Sequence, residues 1–212
     1  IIGGTLTNLH RPKNLELNLS TTKTVLDPND VLEHVPGLNL PNLESLGKIR
    51  LGLTFRGTPS KFHTTLNALT DAGDVVIDAD LVTGGELEYK TTFATENLDL
   101  GRIFDDEELR SRLRSKGSLT GSGTSSHSTT AVARVEIDSS EFYGMPLGQS
   151  VVVLDLSNGV IRSHVQLRAR STRYDLSGIW NNWSEDSVSY SVSGSIQSLN
   201  LADIIRSEEF KS

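Results

Sequence analysis

The chain has 212 residues, of which 36% are hydrophobic and 22% charged, a composition that argues for a soluble folded protein and against intrinsic disorder. Its formal net charge is -7 and its Lys and Arg residues are scattered, so it lacks the basic patch of a nucleic-acid-binding protein and no nucleic-acid partner is expected. Cysteine is absent, which excludes disulfides and thiolate metal sites.

Alternation of apolar and polar residues with a period of two predicts strands along most of the chain, each with one apolar face. The turn signal Ser157-Asn158-Gly159 predicts a hairpin after the sixth of these rows. In chain order the apolar rows are Leu15, Leu17, Leu19; Ile49, Leu51, Leu53, Phe55; Val75, Ile77, Ala79, Leu81; Leu87, Tyr89, Phe93; Ala131, Ala133, Val135, Ile137; and Val152, Leu154, Leu156.

The clearest strand runs from Ile161 to Arg170, where apolar side chains alternate with a charged and polar set that predicts a solvent-exposed face. Its apolar row is Ile161, Val165, Leu167 and Ala169, and its polar row is Arg162, His164, Gln166, Arg168 and Arg170. Two further strands follow, with the rows Tyr174, Leu176, Trp180 and Val188, Tyr190, Val192, Ile196.

Helical spacing is predicted in only three stretches: Asp27 to Val35, about Leu100 to Leu113, and the segment that begins at Leu201. In the middle stretch, an apolar stripe stands beside four acidic residues, Asp105 to Glu108. These acidic residues lack the central glycine and the ligand alternation of a calcium loop, so a structural role near a helix end is favoured.

The last sixteen residues repeat an earlier segment, which predicts a repeat architecture. ENLDLGRIFDDEELRS at 96–111 matches QSLNLADIIRSEEFKS at 197–212 at an offset of 101 residues. A weaker match at an offset of 66 relates the Gly- and Thr-rich segments 53–64 and 119–130. We therefore divide the chain into a first unit, 1–97, with a short helix near 27–35; a second unit, 98–198, that opens with a helix at about 100–113; and the start of a third, 199–212. A chain that stops inside a repeat is expected to be a piece of a longer protein.

The fold class predicted from this pattern is mainly β, with an antiparallel sheet and short helices between repeat units. The many strands with one apolar face have only three predicted helices that could cover that face. The sheet is therefore expected to cover its own apolar face by folding over, as in a sandwich, a barrel or a trough.

The order of these segments resembles the AsmA-like family, particularly its TamB-type translocation and assembly proteins. The residues that carry the resemblance are DLGRIF at 99–104, LTGSGT at 119–124, the segment from Ile137 to Gly148, LSNG at 156–159 and SLNLADII at 198–205. The resemblance implies a curved sheet folded lengthwise into a U-shaped, apolar-lined groove that carries phospholipid through the periplasm. It also implies an inner-membrane-anchored protein of a Gram-negative bacterium. Neither the family's membrane anchor nor its partner-binding region is matched here.

The resemblance implies phospholipid acyl chains and neighbouring repeats of the same chain as partners, and an outer-membrane barrel partner engaged through regions outside these residues. No cofactor is implied. The residues expected to line the lipid groove share the apolar rows of the predicted strands: Ile49, Leu51, Leu53, Phe55, Ile77, Leu81, Leu87, Tyr89, Phe93, Val135, Ile137, Val152, Leu154, Ile161, Val165 and Leu167.

Catalytic and metal-binding patterns are missing from the sequence. The five histidines show no metal-ligand spacing, and no Gly-x-Ser-x-Gly or phosphate-loop pattern occurs. An enzyme is therefore the least supported class. A structural or chaperone-like surface that assists outer-membrane protein assembly through its strand edges is the alternative function. A secreted β-solenoid or adhesin is disfavoured because solenoid coils are shorter than the repeat found here.

Overall fold

The structure is a computed structural model that describes residues 2–11, 15–27, 43–124, 128–181 and 188–199. Within these ranges fourteen strands form one antiparallel sheet, which confirms the mainly β prediction. The strands are β1 Ile2–Thr7, β2 Glu16–Leu26, β3 Ile49–Thr58, β4 Lys61–Thr70, β5 Gly73–Val82, β6 Glu88–Leu98, β7 Ser111–Ser122, β8 Thr130–Ile137, β9 Ser140–Phe142, β10 Met145–Leu147, β11 Ser150–Ser157, β12 Val160–Ala169, β13 Thr172–Asn181 and β14 Ser189–Gln197.

The sheet is a meander with one insertion. Each strand from β1 to β8 pairs with the next, and β8, β11, β12, β13 and β14 continue the order. The predicted hairpin between β11 and β12 is confirmed: Asn158 and Gly159 have φ of 51° and 72°, and this pair of positive values is typical of the tight turn that joins adjacent strands. Strand β4 was not predicted from the sequence. The row that faces the same side as Leu53 is not wholly apolar, because Thr64 stands between Phe62 and Leu66.

The short hairpin of β9 and β10 fills the end of the sheet where β8 and β11 stop. Strand β9 pairs with β7, and β10 pairs with β12 through Leu147 and Ala169. Where the neighbours change, serine hydroxyls replace ladder bonds. Ser140 Oγ accepts from Arg114 N at 2.8 Å, and Ser150 Oγ accepts from Arg168 N at 3.0 Å. Both serines are buried.

The helix predicted at about Leu100–Leu113 is much shorter, and the prediction was wrong beyond its first turn. Helix α1 covers Leu100–Phe104 and ends at Asp105, whose φ is 54°, in the left-handed conformation of a helix C-cap. A 3₁₀ turn, Glu107–Leu109, follows, and the chain is already extended at Ser111. The alternation Arg112, Leu113, Arg114 is a strand pattern, and Leu113 pairs with Leu98.

Side chains and backbone at one end of the sheet hold α1 in place. Asp99 Oδ1 accepts from Gly101 N and from Ser111 N, both at 3.1 Å, so one carboxylate caps the helix and ties it to the start of β7. Ser45, in the 3₁₀ turn Leu43–Leu46, donates to the Arg102 carbonyl at 2.6 Å. The helix therefore borders the sheet and does not cover its apolar face.

The repeat seen in the sequence recurs in the strands. β3 and β11 begin 101 residues apart, at Ile49 and Ser150, and β4 and β12 begin 99 residues apart, at Lys61 and Val160. β5 and β13 also begin 99 residues apart, and β6 and β14 101. At the ends of β6 and β14, Asn97 and Ser198 both adopt positive φ, 53° and 58°. The four strands β3–β6 thus correspond in order to β11–β14.

The helix predicted at Asp27 to Val35 and the segment that begins at Leu201 lie outside the described residues, apart from Asp27. Among the residues that the structure describes, no helix is long and apolar enough to span a membrane.

We expect Ser150→Ala to lower the free energy of unfolding by about 1–3 kcal/mol, because the buried hydroxyl that accepts from the partly buried Arg168 N would be lost. Urea unfolding followed by circular dichroism measures the change. Ser191→Ala, on an exposed position of β14, is the control and should change stability by less than about 0.5 kcal/mol. Equal effects of the two substitutions would contradict the role assigned to Ser150.

Candidate functional site: an uncharged face of the sheet

The strand register places the predicted rows on one side of the sheet, because directly opposed residues of antiparallel strands share a face. Leu53 lies opposite Leu66, which lies opposite Ile77, and the row continues through Phe93, Gly117 and Val135. From Val135 it runs across the last four strands of the row: Val152, Val165, Leu176 and Gly194.

We call this side of the sheet the apolar face; it consists of every strand residue that shares a side with Leu53. None of its members in the described, register-paired strands carries a charge. Its larger side chains are Leu6, Leu17, Leu19, Leu26, Ile49, Leu51, Leu53, Phe55, Phe62, Leu66, Val75, Ile77, Leu81, Tyr89, Phe93, Leu98, Leu113, Leu119, Val135, Ile137, Phe142, Met145, Leu147, Val152, Leu154, Leu156, Ile161, Val165, Leu167, Tyr174, Leu176, Trp180, Tyr190, Val192 and Ile196.

Fifteen of the sixteen residues predicted to line a groove lie in strands on the apolar face. The exception is Leu87, which directly precedes β6. Most of the fifteen are half-buried; Ile49 is buried, and Leu154 is 36% exposed. Strand β4 and most of β7 also contribute to this face without having been predicted; alternation with a period of two in both strands was the available signal.

The apolar face has no second layer packed against it among the described residues. No large side chain in these ranges is fully buried, and the buried hydrophobic residues are few: Ile49, Ala72, Ala79, Leu147 and Ala169. In a sandwich, opposing side chains interdigitate and several large ones are fully removed from water. The side chains of this face instead shield one another laterally and keep a surface open.

Aromatic rings make part of this lateral packing. Phe55 and Phe62, on adjacent strands, stack with ring centroids 4.4 Å apart. Trp180 and Tyr190 lie directly opposite each other and stack at 5.6 Å. Such pairs stabilise the sheet beyond the area they bury.

Two glycines on β7 make room for rings from β6. A Cβ atom at Gly117 would stand 2.5 Å from Phe93 Cζ, and one at Gly121 would stand 2.7 Å from Tyr89 Oη. Each glycine is the directly paired neighbour of its ring. The rings can therefore lie over the neighbouring strand instead of projecting away from the sheet.

Hydroxyl groups on the apolar face are turned toward partners within the sheet. Thr95 and Ser115 share a hydrogen bond of 2.8 Å, and Thr64 Oγ1 donates to the Thr54 carbonyl at 2.8 Å. Thr21 Oγ1 is the one buried side-chain oxygen or nitrogen without a partner in the described ranges. The threonines and serines thus add little polarity to the surface.

The opposite side, the outer face, carries the charges. His63 lies between two carboxylates of β5, with Nδ1 3.0 Å from Asp80 Oδ1 and Nε2 3.3 Å from Asp78 Oδ2. Farther along, Glu136 lies 3.2 Å from both Lys116 Nζ and Arg134 Nε. Hydrogen bonds from Lys116, and then from Arg134, hold the pKa of the Glu136 carboxyl below its usual value.

The acidic run at 105–108 has structural uses. Asp105 caps the C-terminus of α1, and Asp106 Oδ1 accepts from Glu108 N at 2.9 Å to begin the 3₁₀ turn. A polar cleft of about 550 Å³ next to this segment is lined by both acidic and basic residues, including Asp99 and Arg110. In the ranges that the structure describes, no group of three or more His, Asp or Glu side chains is placed to hold a metal ion.

Comparison of the chain with protein-family models, with curated proteins and with solved structures gives no match.

We expect Gly117→Ala to lower the free energy of unfolding by about 1–3 kcal/mol, because the new methyl group would press on the Phe93 ring and on the Arg134 carbonyl. Gly85→Ala is the matched control, since no atom lies within 4 Å of a Cβ at that position. Urea unfolding of the two variants gives the comparison. A Gly117 variant as stable as the Gly85 variant would show that the ring does not rest on the glycine.

The Glu136 cluster gives a pH prediction. Because the pKa of Glu136 is lowered in the folded state, its contribution to stability is present above the ordinary carboxyl pKa and is lost as the pH falls through the lowered value. Between about pH 5 and pH 3 the wild type should therefore lose more stability than Glu136→Gln. Urea midpoints across this range measure the difference; parallel curves would contradict the prediction.

Proposed function

We propose that this chain is a non-enzymatic module of an AsmA-like envelope protein, and that its apolar face lines a groove that conducts phospholipid between the inner and outer membranes. The observation that carries the proposal is the uncharged face itself. It continues across every strand of the described sheet, and no second layer of described residues buries it.

The length of the apolar face suits a path along which a lipid tail moves better than a pocket that holds one ligand. Neighbouring strands lie about 4.8 Å apart, so a row that crosses twelve strands extends on the order of 50 Å along the sheet. Curved lengthwise into a U, such a sheet encloses a trough whose long axis crosses the strands. A phospholipid tail inside it would meet apolar side chains at each step.

The free energy of transferring an acyl chain into water explains why an apolar surface could carry lipid without catalysing a reaction. Exposure of an acyl chain to water costs roughly 0.8 kcal/mol per CH₂, or on the order of 10 kcal/mol for sixteen carbons. A continuous apolar surface removes most of that barrier, provided that no charged side chain interrupts it. The charges of the register-paired residues in the described strands all lie on the outer face, where water solvates them.

The sequence resemblance supplies the cellular setting of the proposal: a periplasmic part of an inner-membrane-anchored protein of a Gram-negative bacterium. Neighbouring repeats would extend the groove, and an outer-membrane barrel partner would be engaged through other regions. The five sequence segments that carry the resemblance include those of α1, the end of β7 and the β11–β12 turn.

A second function, a chaperone-like surface for outer-membrane proteins, is favoured by one observation. No described strand pairs with the outer edge of β14, and its nine residues, SYSVSGSIQ, include no charge. An edge of this kind can add a strand from another polypeptide. Lipid that co-purifies with the protein favours the groove, whereas co-purified unfolded outer-membrane protein favours the chaperone surface.

We expect photo-crosslinking amino acids at Leu53 and Leu167 to capture phospholipid in cells, because both positions lie on the apolar face. Mass spectrometry of the cross-linked products identifies the captured lipid. The matched controls are Arg162 and Arg168, on the outer face of β12, which should capture none. Equal capture from the two faces would contradict the proposed groove.

We also expect Leu167→Glu to reduce co-purified lipid at least tenfold, because an unpaired carboxylate in an apolar path costs several kcal/mol or draws in water. Arg168→Glu, on the neighbouring outward position, should leave lipid content within twofold of the wild type. Native mass spectrometry measures lipid content, and circular dichroism verifies that both variants fold. A folded Leu167→Glu protein with normal lipid content would refute the path.

A further inference from the structure

The outer edge of β14 is exposed in a way that the other long strands are not. On its apolar face Tyr190 is 70% exposed, Val192 53% and Ile196 51%, whereas most large side chains of this face are half-buried elsewhere in the sheet. Soluble proteins protect open edges with lysine, proline, bulges or short strands. None of the nine residues of β14 is a proline, and none is charged.

The internal repeat gives β14 an equivalent strand, β6, whose corresponding edge is paired. Strand β6 corresponds to β14: Tyr89 and Tyr190 are 101 residues apart, as are Asn97 and Ser198, the residues with left-handed backbone at the ends of the two strands. The free side of β6 is occupied by β7, which pairs with it in antiparallel register from Glu88 to Leu98.

Strand β7 covers the tyrosine of β6 in a specific manner. Gly121 lies directly opposite Tyr89, and the phenol lies so close to it that a Cβ on the glycine would be 2.7 Å from the hydroxyl oxygen. Tyr89 is half-buried in consequence. Tyr190 has Trp180 of β13 on one side and, among the described residues, no strand on the other.

We propose that the β14 edge is a docking site for one further antiparallel strand of the β7 type, contributed by another unit of the same repeat. The docked strand places a glycine opposite Tyr190 and an aliphatic residue opposite Val192, as β7 places Gly121 opposite Tyr89 and Leu119 opposite Thr91. Its alternate residues are polar and face outward beside Ser191 and Ser193. The inference concerns strand pairing and stands independently of whether the apolar face carries lipid.

The register makes the proposal testable with a disulfide, because the chain has no cysteine of its own. Thr92 of β6 pairs with Ser118 of β7, so Ser193, 101 residues farther on, should pair with position 118 of a docked strand. The probe is a synthetic peptide with the sequence of β7, RLRSKGSLTGS (112–122), that carries Ser118→Cys. The protein carries Ser193→Cys, and the mixture is oxidised without added lipid.

We expect this pair to form a mixed disulfide at least tenfold faster than the same protein with a peptide that carries Thr120→Cys. Directly opposed residues fall within the Cα separation that a disulfide spans, whereas a shift of two residues exceeds it. A second peptide with Gly121→Val in addition to Ser118→Cys should react at least tenfold more slowly, because its side chain would collide with the Tyr190 ring. With Tyr190→Ser in the protein, that difference between the two peptides should disappear.

Any of five results would overturn the proposal. Equal reaction of the two cysteine registers, or of the glycine and valine peptides, would show that the edge does not read a β7-type strand. If two copies of the Ser193→Cys protein form a disulfide with each other in preference to the peptide adduct, the edge belongs to a second copy of this chain. Equal capture of a strand from an unfolded outer-membrane protein would assign it to unselective chaperoning, and absence of any adduct would leave the edge without a strand-docking role.

Discussion

The register of the antiparallel ladder is the constraint on which the rest of this structure depends. Side chains alternate between faces at every residue, so a slip of one position would move a whole strand's apolar row to the outer face and its charges to the apolar face. Short turns such as Asn158-Gly159 fix the pairing of one strand with the next. Local hairpins thereby keep the register-paired residues of one face free of charge across the described strands.

That constraint also explains where the sheet departs from regularity. Between β7 and β12, the strands β8 and β11 are too short to fill the full length of their neighbours, and the β9–β10 hairpin completes the gap. The backbone at these junctions is partly buried, and the hydroxyls of the buried Ser140 and Ser150 supply the bonds that the ladder omits. The apolar face continues across the junction through Phe142 and Leu147.

Within the described residues the sheet has one open apolar face and an unpaired edge at β14. In repeat architectures each unit buries surface against the next instead of closing a core of its own. The correspondence of β3–β6 with β11–β14 fits this logic, and so do the exposed side chains of β14. The two open features differ in chemistry: the apolar face is a hydrocarbon surface, while the β14 edge presents backbone donors and acceptors to which another strand can pair.

Local patterns along the chain were enough to predict the strand-rich fold and the sidedness of most strands, because period-two alternation needs no knowledge of strand partners. Fifteen of the sixteen expected lining residues lie on one face for that reason. The length of α1 could not be read in this way: Leu109 and Leu113 fit a helical stripe, but the left-handed Asp105 and the pairing of Leu113 with Leu98 depend on the folded chain. Folding brought the rows into one continuous surface, fitted the Tyr89 and Phe93 rings over glycines of the next strand, and left Tyr190 uncovered. Pairing partners are chosen by hydrogen bonds and packing between strands, and these interactions leave no periodic signal in the sequence of either strand alone.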